Sequence, residues 1–230
     1  MGKARRIASR GAMASSRTPA DPISLGEGEV VEPSAKGSLV LGSVVSVRRQ
    51  RDRGLLSAET LAARLSPAAV DLVDQKIDVS RWYPIGVFCE LLDVDWEVGG
   101  ERDPDYMRGE GKRAAARLFD SGIYHQLDYA ERAEKVQTRE RLVRQSKLIS
   151  TLTGTLFNFL RFEVQIEPDR LEIHFHDAGP FSEALRFTTE GFLNEINARQ
   201  KSTRRWSSER LRPDHVMFQL SLPSRLSAEG

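Results

Sequence analysis

Between Arg161 and His176 polar and apolar residues alternate on both sides of a Glu167-Pro168-Asp169 turn. A period of two belongs to strands with one covered face. Phe162, Val164, Ile166, Leu171, Ile173 and Phe175 fall on one side of the pleat. Arg161, Glu163, Gln165, Glu172, His174 and His176 fall on the other. A slip of one residue would put every apolar side chain in water, so the register is specified, with Glu163 across from His174. Any fold for this chain must lay an antiparallel hairpin against a core.

The remaining segments supply that core. Leu39 to Val47 is short, apolar and β-branched, which periodicity alone does not assign to strand or helix; we read helix. Ser57 and Ser66-Pro67 start two short helices, and Pro84 opens another that Gly99-Gly100 ends. Asp103-Pro104-Asp105 caps a helix bearing small residues at Gly111, Ala114, Ala115 and Gly122, spaced to admit close helix packing or a ligand. A long helical region runs from Asp128 to about Phe157. After the hairpin come a short extended piece around Leu185 and Phe187, a helix from about Thr189, and a final strand through Val216, Phe218, Leu220 and Leu222. Helices first, then an antiparallel sheet crossed by one helix, is an α+β arrangement. The expected organisation is a flexible basic arm over 1–36, one domain over 37–224 (helical over 37–160, sheet over 161–222) and a tail over 225–230.

Charge narrows the function classes only weakly, because 34 basic residues face 33 acidic ones. Nucleic-acid binding must therefore rest on local clusters. The single cysteine, Cys89, sits in an apolar run, which excludes an internal disulfide and suits a reducing cytoplasm. Nothing approaches the roughly 18 apolar residues of a membrane span.

Gly42 to Leu65, Trp82-Tyr83-Pro84 with Phe88 and Leu91, the Gly111 to Gly122 helix and the two-strand, helix, strand ending from Phe162 to Leu222 together resemble a superfamily. It includes 4-vinyl-reductase-type ligand-binding domains, haem-NO-binding domains and TRAPP vesicle-tethering subunits, and the likeness looks nearest to a bacterial, myxobacterial-type paralogous family. The resemblance implies a helical subdomain on a small twisted sheet, often dimeric, acting as a non-enzymatic sensor or assembly subunit. It does not bring a haem site with it. Haem-binding members carry Tyr-x-Ser-x-Arg, and none of Tyr83, Tyr106, Tyr124 or Tyr129 is followed by that spacing. Metal-using relatives place several cysteines where this chain has Cys89 alone. No cofactor is expected.

Local signatures of catalysis are missing. Gly109-Glu110-Gly111-Lys112-Arg113 lacks the first glycine and the final hydroxyl of a phosphate loop, and no Gly-x-Ser-x-Gly elbow is present. His174, His176 and Glu163 share a strand face that zinc could use, but they alternate with core residues and read as the solvent side of the sheet. His125 has no evident partner. From 199 to 212, Arg199, Lys201, Arg204, Arg205, Arg210 and Arg212 flank Trp206, as in a strand that pairs phosphates and stacks bases. The same pattern is a charged edge that resists aggregation, and we prefer that reading.

The sequence thus suggests a cytosolic, non-catalytic signalling or assembly module. It would bind a small apolar ligand, through Trp82, Tyr83, Phe88, Phe119 and Tyr124, or a protein partner. The small-residue face suggests a homodimer or hetero-complex. The alternative is a nucleic-acid-associated protein that uses the 199–212 segment.

Overall fold

The computed structural model describes residues 32–120, 139–200 and 202–222, with the backbone alone at 139–145, 147 and 148. The elements in chain order are β1 (Ser34–Lys36), α1 (Gly37–Asp52), α2 (Ala58–Arg64), α3 (Pro67–Asp74), β2 (Trp82–Pro84), α4 (Ile85–Gly100) and α5 (Pro104–Asp120). They continue with α6 (Arg139–Leu156), β3 (Arg161–Ile166), β4 (Arg170–His176), α7 (Glu183–Arg199), β5 (Trp206–Arg212) and β6 (His215–Ser221). The class is α+β, as the order of patterns suggests. Tyr124, Tyr129, His125 and the first part of the helix expected from Asp128 lie outside the described residues.

The hairpin forms in the expected register. Glu163 faces His174, Phe162 faces Phe175 and Ile166 faces Leu171. The full sheet has the order β3-β4-β6-β5, all antiparallel. On its inner face Leu171, Ile173 and Phe175 of β4 oppose Leu220, Phe218 and Val216 of β6, all six buried. β1 and β2 make a separate two-stranded sheet, and Ala35 bridges to Phe157 beyond α6.

Serine caps start three helices, each hydroxyl accepting a backbone N–H: Ser57 from Thr60, Ser66 from Ala69 and Ser182 from Leu185. The last of these corrects the extended reading of Leu185 and Phe187. Both lie in the first turns of α7, since Ser182 with Glu183 behind it is a helix start. α4 ends at Gly99-Gly100, as expected. The helix runs through both, and Glu101 beyond them takes the left-handed conformation at φ 49°. A Cβ on either glycine would run into the Tyr106 side chain.

β5 was legible only as a charged edge, because its inward positions are Trp206, Ser208 and Arg210. α7 meets these groups one by one. The Trp206 amide donates to Asn194 Oδ1 at 2.8 Å, Arg186 Nη1 donates to the Ser208 carbonyl at 2.8 Å, and Ser208 Oγ donates to Glu190 Oε2 at 2.5 Å. Arg210 pairs with Glu183 at 2.6 Å.

The small residues of α5 pack against α7 of the same chain. A Cβ on Gly111 would strike the Thr188 carbonyl oxygen, and one on Gly191 would strike that of Arg108. The two backbones therefore touch, and neither glycine has an alternative. Gly111→Ala should cost about 3 kcal/mol or more, because rigid backbone must move. Urea melts check this: a midpoint within error of wild type would mean that the helices separate freely.

Candidate functional site

Between the helical layer and the sheet lies a cavity of about 60 Å³, lined by parts of α1, α4, α5, α6 and α7 with Phe175 of β4. Its walls are mostly Leu, Ile and Phe: Phe88 and Leu92 of α4, Ile149 and Leu152 of α6, Phe192 and Leu193 of α7. The space stays open because Gly42, Ala114 and Thr188 stand where larger side chains would fill it.

At one end the lining turns polar, with Asp95, Glu110, Ser43 and Arg117. Asp95 is 1% exposed. Its Oδ1 accepts from Ser46 Oγ at 2.8 Å, from Tyr106 OH at 2.9 Å and from Gln50 Nε2, so one oxygen joins α1, α4 and α5. Its Oδ2 has no partner. Burial, reinforced by the nearby Glu110 charge, pushes the Asp95 carboxyl up to about 6 against the hydrogen bonds that favour its charged form. Glu110 is held by Arg113 at 2.5 Å and, more loosely, by Arg49 at 3.9 Å.

Of the ligand-binding residues expected from sequence, Phe88 lines the cavity. Tyr83 is buried under β1, its hydroxyl accepting the Asp78 amide at 3.0 Å. Trp82 is 37% exposed, with Lys36 Nζ 4.0 Å above its ring. Phe119 packs behind the cavity with Leu152 and Ile196, under the Arg199 guanidinium at 4.7 Å. Tyr124 is outside the described residues. Sequence reasoning missed Asp95, although the signal was present: Phe88, Leu91 and Leu92 set a helical stripe that lands next on position 95.

The basic segment is largely occupied. Trp206 is 2% exposed, so its ring is not offered to a base. Arg210 spans Glu183, the Phe181 carbonyl and the Pro213 carbonyl, and Arg199 pairs with Glu195 at 3.1 Å. Arg205 and Arg212 are exposed, and Lys201 lies outside the described residues.

The outer sheet face departs from expectation. Glu172, His174 and His215 are 9%, 7% and 8% exposed, so this is not a solvated row. Arg212 can only donate, to His215 Nδ1 at 3.4 Å, which leaves the proton on His215 Nε2 facing His174 Nδ1 at 3.0 Å. His174 Nε2 then donates to Glu172 at 3.1 Å, and Arg170 closes the row at 2.6 Å. Burial and the neighbouring His176, His174 and Arg212 push His215 below its ordinary range. His176 binds Glu163 at 3.2 Å. No group of three or more metal-ligating side chains has metal geometry among the described residues.

No protein-family profile matches the chain, and no curated protein does. Solved structures do. An Fe(II) unliganded H-NOX protein from K. algicida aligns with TM-score 0.55 and 10% identity over 81% of this chain and 95% of that one. An alanine-to-glycine mutant of it aligns with TM-score 0.53 and 11% identity over 84% and 98%. A structure from a study of heme distortion in the H-NOX family aligns with TM-score 0.51 and 12% identity over 81% and 94%. Identity this low establishes the fold alone. Haem does not fit what the described residues offer. The cavity lining holds no His, Cys, Tyr or Met to ligate iron, and His174, His176 and His215 lie on the opposite face of the sheet. A space of about 60 Å³ is also far below the several hundred that cofactor sites occupy.

Two outcomes follow. Because the folded chain holds the Asp95 proton above its ordinary 3.8, this group's stabilising contribution is full below about pH 4 and is lost as pH rises through about 6. At 1.36 kcal/mol per pKa unit the loss is about 3 kcal/mol. Wild type should therefore fall relative to D95N between about pH 4 and pH 7 in denaturant melts; parallel curves would refute the buried acid. His174→Ala should cost about 1–3 kcal/mol by stranding Glu172 and His215, and an unchanged melting temperature would return that face to solvent.

Proposed function

We propose that this chain is a non-catalytic ligand-binding signalling module whose ligand is a small, largely apolar molecule held in the cavity between the helical layer and the sheet. The observation that carries this is the cavity itself, apolar on five helices and polar at one end. A packed core of this composition has no reason to leave such a space, since voids cost stability in proportion to their volume. The fold shared with H-NOX proteins supports the sensing role, those proteins being described by their iron and heme. The ligand here is read as something other than haem, because the lining among the described residues supplies no axial donor. Among the described residues no helix is long and apolar enough to cross a membrane.

Ala114 is half-buried on the cavity wall, so Ala114→Phe fills the space without removing any hydrogen bond. Native mass spectrometry of the full chain from its own cell should find a retained small molecule on wild type and none on A114F, with both variants folded. Wild type at the bare chain mass would overturn the reading.

A further inference from the structure

The cavity's polar end has a specific deficit. Three buried side-chain atoms among the described residues have no hydrogen-bond partner, and two of them, Asp95 Oδ2 and Gln50 Oε1, belong to one cluster, of which Asp95 lines the cavity. Both are acceptors. The donors around them are spent, because Ser46, Tyr106 and the Gln50 amide all converge on Asp95 Oδ1. A buried acceptor without a donor costs about 1–3 kcal/mol, and a carboxylate more. Asp95 itself lines the cavity, so the missing donor can come from what the cavity holds.

We infer, building on the ligand-binding reading above, that the ligand is amphipathic, with an alcohol or amine head that donates to Asp95 and a short apolar tail among the Leu, Ile and Phe walls. A carboxylic acid or phosphate of the same tail is rejected, because its anionic head would face Asp95 and Glu110, while Arg117, the cation of the lining, already stands in the field of Glu110. Size points the same way. About 60 Å³ is less than half the roughly 150 Å³ that takes up benzene, so the enclosed part holds a few carbons and the remainder of a tail must reach the mouth.

The test titrates the full chain with n-hexanol, n-hexylamine and n-hexanoate, followed by amide chemical shifts of residues on the cavity wall. Hexanol and hexylamine should bind and hexanoate should not. D95N keeps an oxygen for Ser46 and Tyr106 but places an amide donor where Oδ2 stands. It should bind hexanol at least about tenfold more weakly and admit hexanoate. If all three probes bind wild type alike, the head-group assignment falls while the cavity reading stands. If D95N folds and binds hexanol as wild type does, the assignment also falls. If none of the three shifts a wall residue, the cavity reading falls and takes the assignment with it.

Discussion

The contact on which the structure depends is the crossing of α5 and α7, where Gly111 and Gly191 bring two backbones together. Glycine inside a helix costs about 1 kcal/mol relative to alanine, so two such positions must be offset by what the close approach allows. Glu190, beside Gly191, is buried and reaches both Arg108 of α5 at 2.7 Å and Ser208 of β5 at 2.5 Å. One carboxylate thus ties the helical layer to the edge of the sheet at the crossing. With α7 fixed over the inner face and α5 fixed over α7, α1 and α4 can only close around the outside. The cavity is the space those positions enclose.

Legibility followed how local each signal is. The hairpin was readable to the residue because its period is short and its wrong register is ruinous, as the pairing of Glu163 with His174 bears out. Ser57 and Ser66 were readable as caps because a cap involves only three residues. β5 was not, since Trp206, Ser208 and Arg210 have no apolar period and are satisfied by α7, whose position a linear pattern does not contain. The small-residue face of α5 was seen, but its partner was sought in another chain when it lay some eighty residues ahead in this one.

The same limit applies to the site. Phe88 was chosen because aromatic residues near small ones suggest a pocket, and it lines the cavity; Trp82 and Tyr83 meet that criterion and belong to strand β2 of the two-stranded sheet. Asp95 was passed over because it is one of four acids on α4, with Glu90, Asp93 and Glu97, and looks like a surface position until its phase is counted. His174 was assigned to solvent by alternation, which describes the pleat correctly and says nothing about lateral crowding. His174, His176, His215 and Glu172 crowd one another on adjacent strands, which helps to bury His174, His215 and Glu172.

The buried acid is the clearest sign that this cavity is maintained for something. Burying a carboxyl whose second oxygen has no donor costs stability that an apolar side chain, with its neighbours replaced to match, would not. Burial pushes the Asp95 carboxyl up to about 6, with one oxygen accepting from α1 and α5 and the other without a partner. A fold can pass between unrelated chemistries while its packing persists, because the packing is set at Gly111 and Gly191 and the chemistry by the few side chains that face the space. The H-NOX structures that share this fold are described by iron and heme. Here the cavity wall carries Asp95, one of whose oxygens lacks a donor.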